Sequence, residues 1–95
     1  MAADVQTRKF VVRGRVQGVG FRWFVEHEAR ALGISGWVRN RIDGSVEALV
    51  AGDVAAVEEL SRMCRRGPRM AEVTSIEEEM ADPPESFGFR QVPTL

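Results

Sequence analysis

The stretch VVRGRVQGVGFRWF at residues 11–24 joins two different hydrophobic periods through three glycines. At its start, Phe10 and Val12 alternate with Lys9, Val11 and Arg13, a period of two that suits a strand with one buried face. After its last glycine, apolar residues recur at helical spacing over residues 21–32. The stretch is therefore predicted to turn a strand directly into a helix.

The segments that follow predict three more strands, a second helix and a short terminal strand. Asp43-Gly44 is a hairpin signal, so the strands on either side of it are predicted to pair. Asp53 is positioned to cap the second helix, and Gly67 to close it. The predicted elements are strands at residues 34–39 and 45–51, a helix from residue 53 to the stop at residue 67, a strand within residues 70–79 and a strand at residues 87–92.

The predicted order is β-α-β-β-α-β with one terminal strand. This order belongs to the α+β class and is typical of the ferredoxin-like split β-α-β arrangement, in which an antiparallel sheet carries two helices on one face. A chain of 95 residues is long enough for one hydrophobic core. We therefore expect a single domain over residues 1–95, with its core over about residues 8–92.

The composition excludes several classes of protein. The 13 basic and 14 acidic residues give a formal net charge of −1, so no overall field would attract nucleic acid or an anionic membrane. Cys64 is the single cysteine, which excludes an intrachain disulfide and a thiolate metal cluster. The sequence contains no signal-peptide pattern and no apolar run that could span a membrane. We expect a cytoplasmic monomer that binds neither nucleic acid nor membrane and uses no metal and no cofactor.

The glycine loop between the first strand and the first helix has two interpretations. Glycines let a backbone approach a ligand closely, and the free N–H groups at a helix N-terminus carry a partial positive charge that suits a phosphate. Arg22, in the first turn, could grip two phosphate oxygens with its guanidinium. The glycine spacing matches neither the P-loop nor the dinucleotide-binding fingerprint. A plain glycine-rich turn explains the same residues, so the loop alone leaves both interpretations open.

Two segments resemble the signature sequences of the acylphosphatase family. They are VRGRVQGVGFR at residues 12–22 and GWVRNRIDGSVEALVAG at residues 36–52. The similarity extends from about residue 8 to residue 92, which is nearly the whole chain. The resemblance implies a metal-independent enzyme that hydrolyses the carboxyl–phosphate bond of acyl phosphates.

The resemblance also implies roles for individual residues. The arginine of the family's first motif binds the phosphate and matches Arg22, and the asparagine of its second motif orients the attacking water and matches Asn40. The backbone N–H groups implied to cradle the phosphate beside Arg22 are those of Gln17, Gly18, Val19, Gly20 and Phe21. An acyl phosphate suits this chain, because its carboxylate leaving group departs without a general acid and the chain has one histidine, one cysteine and no tyrosine.

Three alternatives to a free acylphosphatase stay open. The fold could be a non-catalytic module that binds an anion without turning it over. The segment at residues 87–89 resembles part of an RNA-binding motif, but Glu85 stands in place of a basic residue and the near-neutral charge opposes RNA binding, so packing in the core is preferred. The same unit also occurs inside hydrogenase-maturation proteins that handle carbamoyl phosphate, which the length of 95 residues opposes.

Other conspicuous residues are predicted to have structural roles. His27 is expected to be a solvated surface residue and Cys64 a core residue. The acidic run at residues 77–79 is expected to be a solvated strand end, since neighbouring side chains on a strand point to opposite faces. Trp23 and Trp37 are expected to pack or to flank the site.

Overall fold

A computed structural model of the chain describes residues 4–95. Over these residues the chain forms two helices and five strands. In chain order they are β1 (Val5–Arg15), α1 (Phe21–Ala31), β2 (Ser35–Asn40), β3 (Val46–Asp53), α2 (Val54–Arg66), β4 (Glu72–Met80) and β5 (Phe89–Gln91). The predicted order of elements and the α+β, ferredoxin-like fold class are confirmed, and the boundaries lie close to those expected from the sequence.

The five strands form one sheet in the order β4-β1-β3-β2-β5. The pairs within the first four strands are antiparallel, as predicted. The terminal strand differs, because β5 pairs parallel to β2, with Phe89 beside Gly36. Residues 81–88 carry the chain from one edge of the sheet to the other and reverse its direction. For this reason β5 runs opposite to β4 and in the same direction as β2.

The core lies between one face of the sheet and the two helices. α1 contributes Phe21, Val25 and Ala29, and α2 contributes Val57, Leu60 and Cys64, all of them at most 1% exposed. Every second residue of the central strands meets these side chains. The strand residues concerned are Phe10, Val12, Val38, Val46, Ala48 and Val50. Burying a large apolar side chain contributes about 1.5–3 kcal/mol, so this layer holds both helices on the sheet.

Two local expectations differ from the structure. Asp53 precedes α2 but makes no capping hydrogen bond through its side chain. The first N–H of the helix, that of Val54, instead donates to the carbonyl oxygen of Asp4 at 2.9 Å. Phe89 is buried in the core as expected, whereas Phe87 is 99% exposed, since the chain reaches β5 only after Gly88.

Cys64 and Trp37 lie on opposite faces of the sheet. Cys64 is buried, and this burial raises the pKa of its thiol to about 12, so the thiol is a core group and no nucleophile. Trp37 lies on the sheet face away from the helices, because its neighbour Val38 is in the core. There the Arg39 guanidinium lies 4.5 Å from the centre of the Trp37 ring, and its Nε donates to Glu47 Oε1 at 2.7 Å.

Neither helix in residues 4–95 is long and apolar enough to cross a membrane.

Candidate active site

The loop between β1 and α1 is shaped by two glycines in the left-handed region. Gly18 has φ 72° and Gly20 has φ 80°, while Val19 between them is not left-handed. Such an alternation turns successive backbone N–H groups toward one side, which favours binding of an anion. Gly20 is also the N-cap of α1, with no side-chain cap and no acidic residue in the first turn. The N–H groups at the start of α1 therefore have no competing carboxylate beside them.

The end of β2 and this loop lie on the same side of the sheet, where β1 and β2 both end. β1 and β2 both pair antiparallel to β3, so they run in the same direction and end together. Asn40 is the last residue of β2 and lies close to the glycine loop as a result. A pocket of about 150 Å³ opens between them. The predicted site residues that line it are Gly18, Gly20, Phe21, Arg22 and Asn40.

Asn40 carries a buried oxygen without a protein partner. Its Oδ1 accepts no hydrogen bond within residues 4–95, although it is shielded from solvent. A buried acceptor without a partner costs about 1–3 kcal/mol, so native proteins rarely keep one without a use. The oxygen belongs to a residue that lines the pocket. It can therefore accept a hydrogen bond from a small molecule held there.

The Arg22 guanidinium is available to a ligand. Arg22 is half-buried in the first turn of α1 and takes part in none of the ion pairs between described residues. Arg22 and the residues at the start of the helix, Gly20 and Phe21, line the same pocket, and a guanidinium offers planar N–H donors. The pocket therefore combines a permanent positive charge, backbone donors and one buried acceptor.

Gln17 and Val19 do not line this pocket. Val19 packs against the core. The side chain of Gln17 points to the turn between β2 and β3, where its Nε2 donates to the carbonyl oxygens of Arg41 at 2.8 Å and Ser45 at 2.9 Å. This side chain joins the loop that begins at β1 to the turn that follows Asn40.

Two lining residues, Val16 and Gln91, were not expected at the site from the sequence. Gln91 comes from β5, and its Nε2 donates to Glu26 Oε1 at 3.0 Å. No sequence signal marks Gln91, because its position depends on β5 crossing to the far edge of the sheet. Trp23 was expected to pack or to flank the site, and it lines the pocket beside Arg22.

His27 is exposed, as expected, but it is not isolated. Its ring stacks on the ring of Trp23 with centroids 4.9 Å apart and planes 12° apart. The two residues are one helical turn apart on α1, which places them on the same side of the helix. Within residues 4–95, no three His, Cys, Asp or Glu side chains are grouped as a metal site would require.

The sequence and the fold can now be compared with known proteins. Residues 8–91 match the family profile of acylphosphatase. The chain belongs to the acylphosphatase family. An acylphosphatase of Acidiphilium cryptum is 58% identical over 82 residues, which are 86% of this chain and 90% of that protein. These matches make the chain a hydrolase of the acylphosphatase class.

Solved structures agree with this family assignment. The crystal structure of an acylphosphatase from Bacillus subtilis matches with a TM-score of 0.86 and 37% identity, covering 94% of this chain and 99% of that chain. The crystal structure of full-length HypF in the phosphate- and nucleotide-bound form matches with a TM-score of 0.90 and 27% identity. That match covers 99% of this chain but 13% of HypF, so an acylphosphatase-like unit is also found within a longer protein.

Proposed function

We propose that the pocket between the glycine loop and the end of β2 is the active site, where acyl phosphates are hydrolysed to a carboxylate and inorganic phosphate without a metal ion. The observation that carries this proposal is the buried Oδ1 of Asn40, which has no hydrogen-bond partner within residues 4–95. Asn40 shares the pocket with Arg22. A donor, a positive charge and an acceptor then converge on one small volume, as hydrolysis of a phosphoryl group needs.

In this proposal the phosphate is held by the glycine loop and Arg22. The N–H groups of the pocket residues Gly18, Gly20 and Phe21 donate to the phosphoryl oxygens, and the partial positive charge of the α1 N-terminus stabilises them further. Arg22 donates two parallel hydrogen bonds from its guanidinium. The negative charge persists in the transition state, so these contacts act on binding and on the rate.

Asn40 orients the attacking water. Its Oδ1 accepts a hydrogen bond from the water, which attacks phosphorus opposite the acyl oxygen. The bond between phosphorus and the acyl oxygen breaks, and its electron pair leaves with the carboxylate. An amide is no base near neutral pH, so a proton of the water passes to a phosphoryl oxygen of the substrate. Positioning and electrostatics supply the catalysis.

The sparse chemistry of the pocket suits an acyl phosphate better than a phosphate monoester. A carboxylate has an ordinary pKa of about 4 and leaves without protonation, whereas an alkoxide needs a general acid. The pocket lining contains no histidine, cysteine or carboxylate. A substrate with a good leaving group is therefore the one these residues can hydrolyse.

The experiment compares Arg22→Ala and Asn40→Ala with the unmodified protein on benzoyl phosphate. Arg22→Ala should weaken phosphate binding roughly 10- to 100-fold, since it loses charged hydrogen bonds, and should also lower kcat. Arg22→Lys should restore little, because a point charge does not reproduce the planar fork. Asn40→Ala should lower kcat about 100-fold or more while phosphate affinity stays nearly unchanged. Calorimetry gives the affinity, circular dichroism confirms folding, and activity should survive EDTA.

Arg62→Ala is the matched control, because Arg62 pairs with Glu59 on the exposed side of α2. It should leave both affinity and kcat unchanged. A folded Asn40→Ala protein with normal kcat would remove Asn40 from the mechanism. Phosphate binding without any turnover of benzoyl phosphate would favour the non-catalytic anion-binding module instead. Cytoplasmic location, a monomeric state and the absence of nucleic-acid binding stay predictions.

A further inference from the structure

The pocket is too small to enclose a whole acyl phosphate. Its volume is about 150 Å³, whereas pockets that enclose a complete small-molecule ligand typically measure about 300–1,000 Å³. If the proposed function is right, the phosphoryl group and the attacking water occupy this volume. The acyl group must then lie at the mouth of the pocket, against residues that also face solvent.

Trp23 presents a large apolar surface at this mouth. It lines the pocket, follows Arg22 directly in the chain and is 62% exposed. A single exposed apolar residue is ordinary on a protein surface. Trp23 differs from an ordinary one because it borders the pocket that holds Arg22 and Asn40.

The indole of Trp23 is also held in place before any ligand binds. The His27 ring stacks on one of its faces, 4.9 Å away between centroids and 12° from parallel. His27 thus covers part of one face of the indole, while Trp23 as a whole stays 62% exposed. A ring fixed in this way loses little side-chain entropy when a second flat group stacks on it.

The charges around the indole suit an uncharged acyl group. Glu26, which contacts the pocket residue Gln91 at 3.0 Å, is also bound by Arg30 at 2.9 Å. His27 covers the indole face toward the next turn of the helix. The indole itself is apolar and flat, which matches an aromatic ring better than a short or charged chain.

We propose that Trp23 forms a subsite for the acyl group and gives the enzyme a preference for aromatic acyl phosphates over acetyl phosphate. This subsite rests on the proposed function, since it places the acyl group by the position of the phosphate. Stacking of two aromatic rings changes affinity roughly threefold to tenfold, and this factor is the expected size of the preference.

The test compares kcat/KM on benzoyl phosphate and acetyl phosphate for the unmodified protein, Trp23→Ala and Trp23→Phe. The intrinsic reactivities of the two substrates cancel when the ratio is compared between variants. In Trp23→Ala, kcat/KM for benzoyl phosphate should fall roughly threefold to tenfold more than kcat/KM for acetyl phosphate. Trp23→Phe retains a ring and should keep most of the ratio. Phe87→Ala, which truncates an exposed aromatic residue outside the pocket, should leave the ratio unchanged.

A second measurement does not depend on turnover. Benzylphosphonate and methylphosphonate are unreactive and can be compared as competitive inhibitors. The unmodified protein should bind benzylphosphonate more tightly, and Trp23→Ala should abolish the difference. Equal losses on both substrates, or an unchanged ratio with an unchanged inhibitor preference, would overturn the subsite.

The two proposals fail in different ways. If the unmodified protein hydrolyses neither acyl phosphate, the proposed function is wrong. If it hydrolyses both and Trp23→Ala keeps the same ratio, the function stands and the aromatic subsite is wrong.

Discussion

Gln17 links the two halves of the candidate site through a single side-chain amide. Its backbone lies in the loop before α1, and its Nε2 donates to the carbonyl oxygens of Arg41 and Ser45. The N–H of Arg41 also donates to the oxygen of Ser45 at 2.9 Å, so these two residues close the turn between β2 and β3. Asn40 directly precedes this turn. Gln17 therefore sets the position of Asn40 relative to the glycine loop.

Gln17→Ala should lower both the stability of the fold and the kcat of the enzyme. Removing a donor from two carbonyl oxygens should lower the free energy of unfolding by about 1–3 kcal/mol. The kcat on benzoyl phosphate should fall more than the phosphate affinity, because the loop N–H groups remain while Asn40 loses its support. Urea denaturation and steady-state kinetics measure the two effects.

Gln6→Ala is a control for the loss of a glutamine from the same end of the chain. Gln6 contacts Arg8 within β1 and does not line the pocket. Its kcat should remain normal. Normal kcat in a folded Gln17→Ala protein would show that Asn40 keeps its position without the side chain of Gln17.

At the scale of elements, α1 is flanked by two glycines with similar positive φ angles. Gly20 at its start has φ 80°, and Gly33 after its end has φ 72°. A side-chain carbon added at either position would meet nothing within 4 Å. Substitution at either site therefore strains the backbone without a steric clash, and the two ends can be compared directly.

Gly20→Ala and Gly33→Ala should cost similar stability but affect the ligand differently. A left-handed conformation costs an alanine about 1–2 kcal/mol, which should appear in the unfolding free energy of both variants. Only Gly20→Ala should weaken phosphate binding, because relief of the strain at Gly20 turns the N–H groups of the loop away from the pocket. Phosphate titration by calorimetry checks this difference. Equal phosphate affinity in the two variants would argue against the loop as the phosphate cradle.

At the scale of the whole molecule, Glu78 connects three elements on the helix side of the sheet. It was expected among solvated acidic residues, but it is partly buried on β4 beside α2 and β1. Ser61 Oγ donates to it at 2.7 Å, Arg65 at 3.0 Å and Arg8 at 3.2 Å. Glu77 and Glu79 point to the other face and are exposed as expected. The partners of Glu78 come from segments far apart in the chain, which explains the different outcome.

Glu78 should make the stability of the fold depend on pH. Burial raises the pKa of this carboxyl group, but the hydrogen bonds from Ser61, Arg8 and Arg65 outweigh burial and lower its pKa below the ordinary 4.5. A lowered pKa in the folded state means that the stabilisation is present above the ordinary pKa and is lost as the pH falls through the folded one. Glu78→Gln should therefore lower the unfolding free energy by about 1–2 kcal/mol near neutral pH and by less near pH 3.

Glu79→Gln is the matched control on the neighbouring residue. Glu79 is 65% exposed and pairs with Lys9 at 3.0 Å, so its loss should change stability by less than about 0.5 kcal/mol. Urea denaturation at both pH values measures all three proteins. A constant difference between the unmodified protein and Glu78→Gln from neutral to acid pH would contradict a role for the ionised carboxylate.

Much of the fold could be predicted because its causes are local. The spacing of apolar residues identifies the strands and helices over residues 5–66. Gly18 and Gly20 adopt positive φ angles because glycine has no side chain that would clash there. Arg22 and Asn40 were expected from the resemblance to a family, and the pocket brings them together. The pairing of β1 and β2 with β3 places the ends of β1 and β2 on the same side of the sheet.

The amino-acid sequence by itself thus determined which segments become helices and strands, where the chain turns and which polar residues are candidates for the site. Only the tertiary structure decided that β5 runs parallel to β2, that Gln91 borders the pocket, and that the side chain of Gln17 contacts the turn after Asn40. These features depend on which distant segments become neighbours. That choice is made by burying whole faces of the sheet and helices against one another, and no local pattern in the chain encodes it.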